Sequence, residues 1–247
     1  MVAAKKKLKV IYLEGLVNYE SALKKQEELM QKRMKDEIPD TLLLLEHKST
    51  YTIGLNAKEK TFRVPLEELK QIAEVYEIGR GGKVTYHGPG QIVGYLIAKI
   101  PQERISLFID NIEDVTIKTL KDLGINAYSR KKENDEDNKP IRGAWVKFNG
   151  KEKKLAAQGL EFKTDKDYKY SMHGFAININ TNLAYFDKIY PCGFNEQVMG
   201  SAEIILGKKL DLNEVKSYIE KNVRDIFDYN ILLKTKQLFN HQHVRVL

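Results

Sequence analysis

Apolar residues recur along the chain in two rhythms, and each rhythm predicts an element. Between Asn18 and Glu37 the positions Ala22, Leu23, Gln26, Leu29 and Met30 fall near helical spacing, which predicts a long amphipathic helix. Ser106 to Leu123 predicts a second long helix, closed by Gly124 as a C-terminal cap. Leu212 to Tyr229 predicts a third. A shorter helix, Leu66 to Val75, begins just after Pro65, where a missing backbone N–H costs nothing. Thr41 to Glu46 is a short apolar run between polar flanks and reads as a buried strand, with Tyr51 to Gly54 extended after it. Ile92 to Ile100 is a strand with Gly94 inside it. Met172 to Ile179 is another, with Phe175, Ile177 and Ile179 alternating. Trp145 to Phe148, then Asn149-Gly150, then a second extended run predict a hairpin, because Asn-Gly suits a type I′ turn. Lys131 to Lys139 is dense in charge without an apolar residue and reads as a surface loop. Ile231 to Leu247 fits neither rhythm.

Helices and strands mix without regular strand-helix-strand alternation. This predicts an α+β protein with a mixed, largely antiparallel sheet and flanking helices. No segment reads as a linker, so one domain is expected over 1–247, with a C-terminal helical extension over 211–247.

Composition narrows the picture. Hydrophobic residues make up 42% of the 247, an ordinary share for a globular protein. No apolar stretch approaches the ~20 residues that span a bilayer. Met1 to Lys9 is basic but no apolar h-region follows, so no secretory signal is read and the cytoplasm is the expected location. The net charge of +7 would suit nucleic acid, an anionic membrane or an acidic protein. However, the basic residues form no stripe with aromatics. Lys and Glu are mixed, as in Lys24-Lys25-Gln26-Glu27-Glu28, which is the signature of a solvated face. Neither nucleic acid nor a membrane is expected as a partner. The single cysteine, Cys192, cannot form an internal disulfide.

Three segments are candidates for chemistry. The first is Arg80-Gly81-Gly82-Lys83-Val84-Thr85-Tyr86-His87-Gly88-Pro89-Gly90-Gln91. Its glycines permit close approach of backbone to a ligand, or merely a tight loop between strands. It has neither the phosphate-loop nor the dinucleotide spacing. The second is Lys154-Leu155-Ala156-Ala157-Gln158-Gly159. A lysine running into small apolar residues is either a desolvated base or a hairpin lysine in a basic run. The third runs from His173-Gly174-Phe175-Ala176 to Pro191-Cys192-Gly193. A cysteine between proline and glycine is either presented as a nucleophile or packed as a small hydrophobe.

Together these segments resemble the lipoyl(octanoyl) transferase family. Arg80 to Gln91 is similar to its signature loop, Lys154 to Gly159 to its Lys-x-x-x-x-Gly motif, His173 to Asn178 to its His-Gly-Phe-Ala-x-Asn strand, and Pro191 to Gly193 to its Pro-Cys-Gly. Asn182 to Ile189 and Tyr51 to Gly54 also match, so the resemblance covers roughly residues 40–200. Three features depart from it: no basic residue follows Gly54 closely, Lys163 to Tyr170 is long, and the 131–139 segment is unusually charged.

The resemblance implies the fold of biotin and lipoate protein ligases, with an acyl-binding channel. It implies that Cys192 carries the acyl thioester and that Lys154 lowers the pKa of Cys192 and relays protons. Arg80, Gly81, Gly82, Lys83, Val84, Thr85, Tyr86 and His87, with Ala157, Gln158, Gly159, Gly174, Phe175 and Ala176, would line the substrate site. The donor would be octanoyl-acyl carrier protein. The acceptors would be lipoyl domains of 2-oxoacid dehydrogenases and the glycine cleavage H protein. No cofactor or metal is implied.

The implied chemistry is sound. An ammonium about 4 Å from a thiolate gives roughly 4 kcal/mol of attraction at an effective dielectric of 20. A fraction of that ionises a thiol at neutral pH, since each pKa unit is about 1.4 kcal/mol. Exchange of one thioester for another needs no ATP. The rival readings are an ATP-dependent lipoate or biotin ligase of the same fold, an amidotransferase, and a non-catalytic acyl-carrier-binding module. The Pro-Cys-Gly context argues against the first, and the pairing of Lys154 with Cys192 argues against the last.

Overall fold

Local signals place the elements much as the patterning predicts. The computed structural model describes residues 6–58, 61–191 and 198–238. In chain order these form β1 (Lys6–Val17), α1 (Tyr19–Met34), β2 (Asp40–His47), β3 (Thr50–Ile53), α2 (Leu66–Ile72), β4 (Glu74–Glu77), β5 (Val84–His87), β6 (Gln91–Ile97) and β7 (Lys99–Pro101). Then follow α3 (Ile105–Asp122), β8 (Tyr128–Asn134), β9 (Pro140–Phe148), β10 (Lys151–Asp165), β11 (Tyr168–Asn178), α4 (Ala202–Leu206), α5 (Leu212–Phe227) and β12 (Tyr229–Leu238). Asn18 caps α1 by accepting from the Ser21 N–H at 3.2 Å. Asn149 and Gly150 have φ of 48° and 73°, the left-handed pair that a type I′ turn between β9 and β10 requires.

The main sheet runs β12-β1-β2-β6-β11-β10-β9-β8, with β7 alongside β11. β12, β1 and β2 are mutually parallel, and the remaining neighbours are antiparallel. A small second sheet, β4-β3-β5, carries the middle of the glycine-rich segment, Val84–His87. The expected α+β fold with a mixed, largely antiparallel sheet is therefore present.

The sheet is covered on both faces. Leu42 and Leu44 of β2 join the core under α3 and α5, while Leu43 and Leu45 join the core under α1. All four are fully buried, which is why β2 reads as a continuous apolar run rather than an alternating one. Each buried leucine contributes about 1.5–3 kcal/mol. A third cluster packs the small sheet against Phe186 and Ile189. Among the described residues no helix is long and apolar enough to cross a membrane.

Three expectations are corrected and one strand is added. The helix after Pro65 ends at Ile72, and Glu74–Glu77 becomes β4, paired in parallel with β3. The charged 131–139 segment is not a loop. It is the end of β8 and a hairpin tip, with the Asp135 N–H donating to the Lys139 carbonyl at 2.8 Å. Acids at its tip are paired: Lys83 Nζ lies 2.9 Å from Glu136 and 3.0 Å from Asp137, and Lys58 Nζ lies 2.7 Å from Asp137. The expected helical extension over 211–247 is a helix only to Phe227. Asp228 turns the chain in a left-handed conformation, and β12 then pairs in parallel with β1. Finally, β1 itself was hidden behind the basic start, although Leu8, Val10, Ile11 and Leu13 are all buried.

Candidate active site

A cavity opens between the α1 face of the main sheet and the glycine-rich segment. Its floor exists because side chains are missing from it. Ala157 faces Ala176 and Gly159 faces Gly174 in the β10–β11 register. Facing residues of an antiparallel pair project from the same side of the sheet. Four small residues therefore clear one patch on two adjacent strands. Two of them also admit no Cβ: at Gly174 it would stand 2.1 Å from the Gly94 carbonyl oxygen, and at Gly159 2.9 Å from Arg80 Cδ.

The roof is the segment 80–87. Arg80 is buried and ties this segment to the small sheet. Its Nη2 donates to the Thr52 carbonyl at 2.9 Å and to Thr52 Oγ1 at 2.8 Å. The Gly81 N–H donates to the Leu160 carbonyl at 3.0 Å, so the roof is pinned to β10.

His87 belongs to a fixed network. Gln91 Nε2 donates to Asn178 Oδ1 at 2.9 Å and to the Tyr86 carbonyl at 3.1 Å. That leaves Gln91 Oε1 to accept from His87 Nδ1 at 2.7 Å. His47 is fixed similarly: Nδ1 donates to the Val17 carbonyl at 3.1 Å, so Nε2 accepts from the Tyr95 hydroxyl at 2.7 Å.

Burial holds His47 at a pKa of about 4 against an ordinary 6.5, and pushes His87 well below its ordinary value. Both are neutral in the folded protein at neutral pH. The unfolded chain takes up protons below pH ~6.5 that the folded chain refuses, so stability falls as pH drops from about 6.5 toward 4. At about 1.4 kcal/mol per pKa unit, His47 alone should remove about 2 kcal/mol between pH 7 and pH 5. Urea unfolding at those two pH values checks this, and His47→Gln should shrink the loss by that amount.

The expected site residues are largely brought together. Arg80, Gly82, Lys83, Val84, Thr85, His87, Ala157, Gln158, Gly159, Gly174, Phe175 and Ala176 line the cavity. Phe175 does so from the backbone side: its ring packs at the place a Gly94 Cβ would take, in the core on the α3 face. Gly81 lines an adjoining cavity together with Lys154. Gly82, Lys83, Gln158 and Gly159 line both cavities. Tyr86 is not brought to the cavity. It stacks on Tyr185 with ring centroids 4.4 Å apart and shares a 3.0 Å hydrogen bond with Ser49. Alternation along β5 explains this, since Thr85 and His87 face the other way.

Three lining residues escaped the sequence reading, Tyr19, Val93 and Tyr95, and a fourth, His173, opens the third candidate segment. Tyr19 follows a helix cap, and Val93 and Tyr95 look like ordinary strand residues. Only strand pairing reveals them. His173 has φ of 61° and places its Nε2 3.3 Å from Glu161. That imidazole holds the Glu161 carboxyl below its ordinary pKa.

Lys154 is buried, 4% exposed, with Nζ 5.4 Å from the centre of the Trp145 ring. Its N–H donates to the Val198 carbonyl at 2.7 Å, and its carbonyl accepts from the Gly200 N–H at 3.0 Å. Gly143, across the β9–β10 bulge, leaves room for the lysine stem, because a Cβ there would stand 2.7 Å from Lys154 Cε. Cys192 lies outside the described residues. Its described neighbour Tyr190 donates its N–H to the Thr61 carbonyl at 2.9 Å.

The sequence model of the lipoyl protein ligase A/B catalytic domain matches residues 18–224. An octanoyltransferase from Caldicellulosiruptor saccharolyticus is 42% identical, over 90% of this chain and 89% of its own. One from Alkaliphilus metalliredigens is 38% identical, over 88% and 94%. A crystal structure of lipoate-protein ligase A bound with ATP superposes with a TM-score of 0.69, covering 94% of this chain and 90% of that one at 12% identity. At that identity the likeness concerns the fold alone.

Proposed function

The chain belongs to the lipoyl protein ligase A/B family, among its octanoyltransferases, and on that premise we propose how this acyltransferase works: it takes an octanoyl group from octanoyl-acyl carrier protein as a thioester on Cys192 and passes it to a specific lysine of a lipoyl domain. The acceptors are lipoyl domains of 2-oxoacid dehydrogenases and the glycine cleavage H protein, and the setting is the cytoplasm.

One observation carries this reading. A cavity floored by Gly and Ala residues shares Gly82, Lys83, Gln158 and Gly159 with a second cavity that holds a buried lysine. The first has the apolar, narrow character of an acyl site, and the second supplies a proton carrier. The strand segment that follows Cys192 also returns to Lys154, through the Val198 and Gly200 hydrogen bonds.

The steps balance without ATP. The Cys192 proton passes to Lys154. The thiolate attacks the carbonyl of the donor thioester, and the carrier sulfur leaves with a proton from Lys154. The acceptor amine then attacks the acyl-enzyme and gives its proton to Lys154 as the Cys192 thiolate departs. Amide formation makes this second step favourable.

Intact mass after a quick acid quench tests the reading. Octanoyl-loaded carrier protein without ATP should add one octanoyl group. Hydroxylamine should remove it, and Cys192→Ser should never gain it. No adduct, with acyl transfer to a lipoyl domain only when free octanoate and ATP are supplied, would move the protein to the ligase class.

A further inference from the structure

We propose that Val93 and Tyr95 set the length of the acyl chain that the site accepts; this rests on the acyl-transfer reading above. The strand register carries the argument. One row across the sheet reads Gly159 on β10, Gly174 on β11, Tyr95 on β6 and Leu43 on β2. The next reads Ala157, Ala176, Val93 and Leu45. Both rows project toward α1. Both are small on two strands and become large at the third.

The direction of the chain follows from the strand whose residues line both cavities. Gln158 and Gly159 of β10 are shared with the cavity of Lys154. The reacting carbonyl therefore lies at the β10 side, and the alkyl tail runs over β11 toward β6. Neighbouring strands are ~4.8 Å apart, so β10 to β6 is roughly 10 Å. An all-trans alkyl chain advances about 1.25 Å per bond, given C–C bonds of about 1.5 Å, so the seven bonds of an octanoyl chain span about 9 Å. Four further methylenes would need about one more strand spacing. At that strand stand Leu43 and Leu45, fully buried against α1.

The wall is rigid where it matters. Tyr95 is 3% exposed, and its hydroxyl donates to His47 Nε2 at 2.7 Å. His47 is itself held by the Val17 carbonyl. The Tyr95 ring meets His173 edge-on at 6.0 Å, and Tyr19 packs on His47 at 5.2 Å. A longer tail cannot swing Tyr95 aside without breaking the hydrogen bond to His47.

Competition between acyl thioesters of six, eight, ten and twelve carbons, read as acyl-enzyme masses in one sample, tests the assignment. Val93→Ala should raise the decanoyl-to-octanoyl ratio about tenfold, the worth of two newly buried methylenes. Tyr95→Ala should raise the dodecanoyl ratio further. Ala176→Leu, which fills the floor, should shift preference the other way, raising the hexanoyl-to-octanoyl ratio at least tenfold. These ratios are internal to each sample, so general loss of stability does not move them. Should Tyr95→Ala fail to fold, the other two variants decide. Adducts that form with unchanged ratios in Val93→Ala and Ala176→Leu would overturn the assignment. Wild-type protein that forms no adduct with any donor would instead remove the acyl-transfer reading.

Discussion

Lys154→Met is expected to slow acyl transfer about 10²–10⁴-fold, the usual worth of a positioned proton carrier. Methionine keeps the length and the apolar stem of the side chain, which is nearly all buried. The backbone bonds of residue 154 to Val198 and Gly200 do not depend on the side chain. The melting temperature should therefore stay within a few degrees of wild type. The loss belongs to the charge and the proton. Without the ammonium the Cys192 thiol should ionise at higher pH, and the pH profile of iodoacetamide alkylation should move upward. A profile that stayed in place would take Lys154 out of its role, whatever the rate did.

The second large effect is expected at Gly143→Ala. Gly143 has φ of 116°, outside the range that side-chain-bearing residues tolerate. A Cβ there would stand 2.2 Å from the Ala156 carbonyl oxygen and 2.7 Å from Lys154 Cε. The first atom is backbone and cannot swing away. Strain and overpacking together should cost about 2–6 kcal/mol in urea unfolding. Relief by moving the lysine stem would displace its Nζ from the site. Under conditions where the variant is folded, its alkylation profile should shift toward that of Lys154→Met. Wild-type stability and a wild-type profile would show that the β9–β10 bulge relaxes around an added methyl.

Both predictions concern a residue whose type was legible in sequence and whose surroundings were not. Lys154 stood out by its motif, but in a run with Lys151 and Lys153 nothing local distinguishes a buried lysine from a solvated one. Gly143 attracted no attention, because its reason is a bulge opposite β10. The charged 131–139 segment shows the same limit. Its composition fits a solvated loop, yet its acids meet Lys58 and Lys83 from distant parts of the chain. Paired charges look like free ones until the partners are brought together.

Short-range order was written locally, since caps, turns and hydrophobic rhythms act over a few residues. The Asn18 cap, the Asn149-Gly150 turn, the buried run of β2, and the Gly and Ala positions of the site could all be read along the chain. The α+β class follows from those signals. Cys192 is known from its motif alone. What the tertiary structure decided is what depends on register between strands far apart in sequence. The parallel pairing of β1 with β12 joins two ends that carry no local sign of each other. The direction of Tyr86 away from the cavity follows from alternation along β5. The alignment of Gly159 with Gly174 and Tyr95 turns three unremarkable residues into a floor and its end wall. A side chain's type is local, but which side chains share a face is fixed only when the backbone hydrogen bonds of the sheet are made.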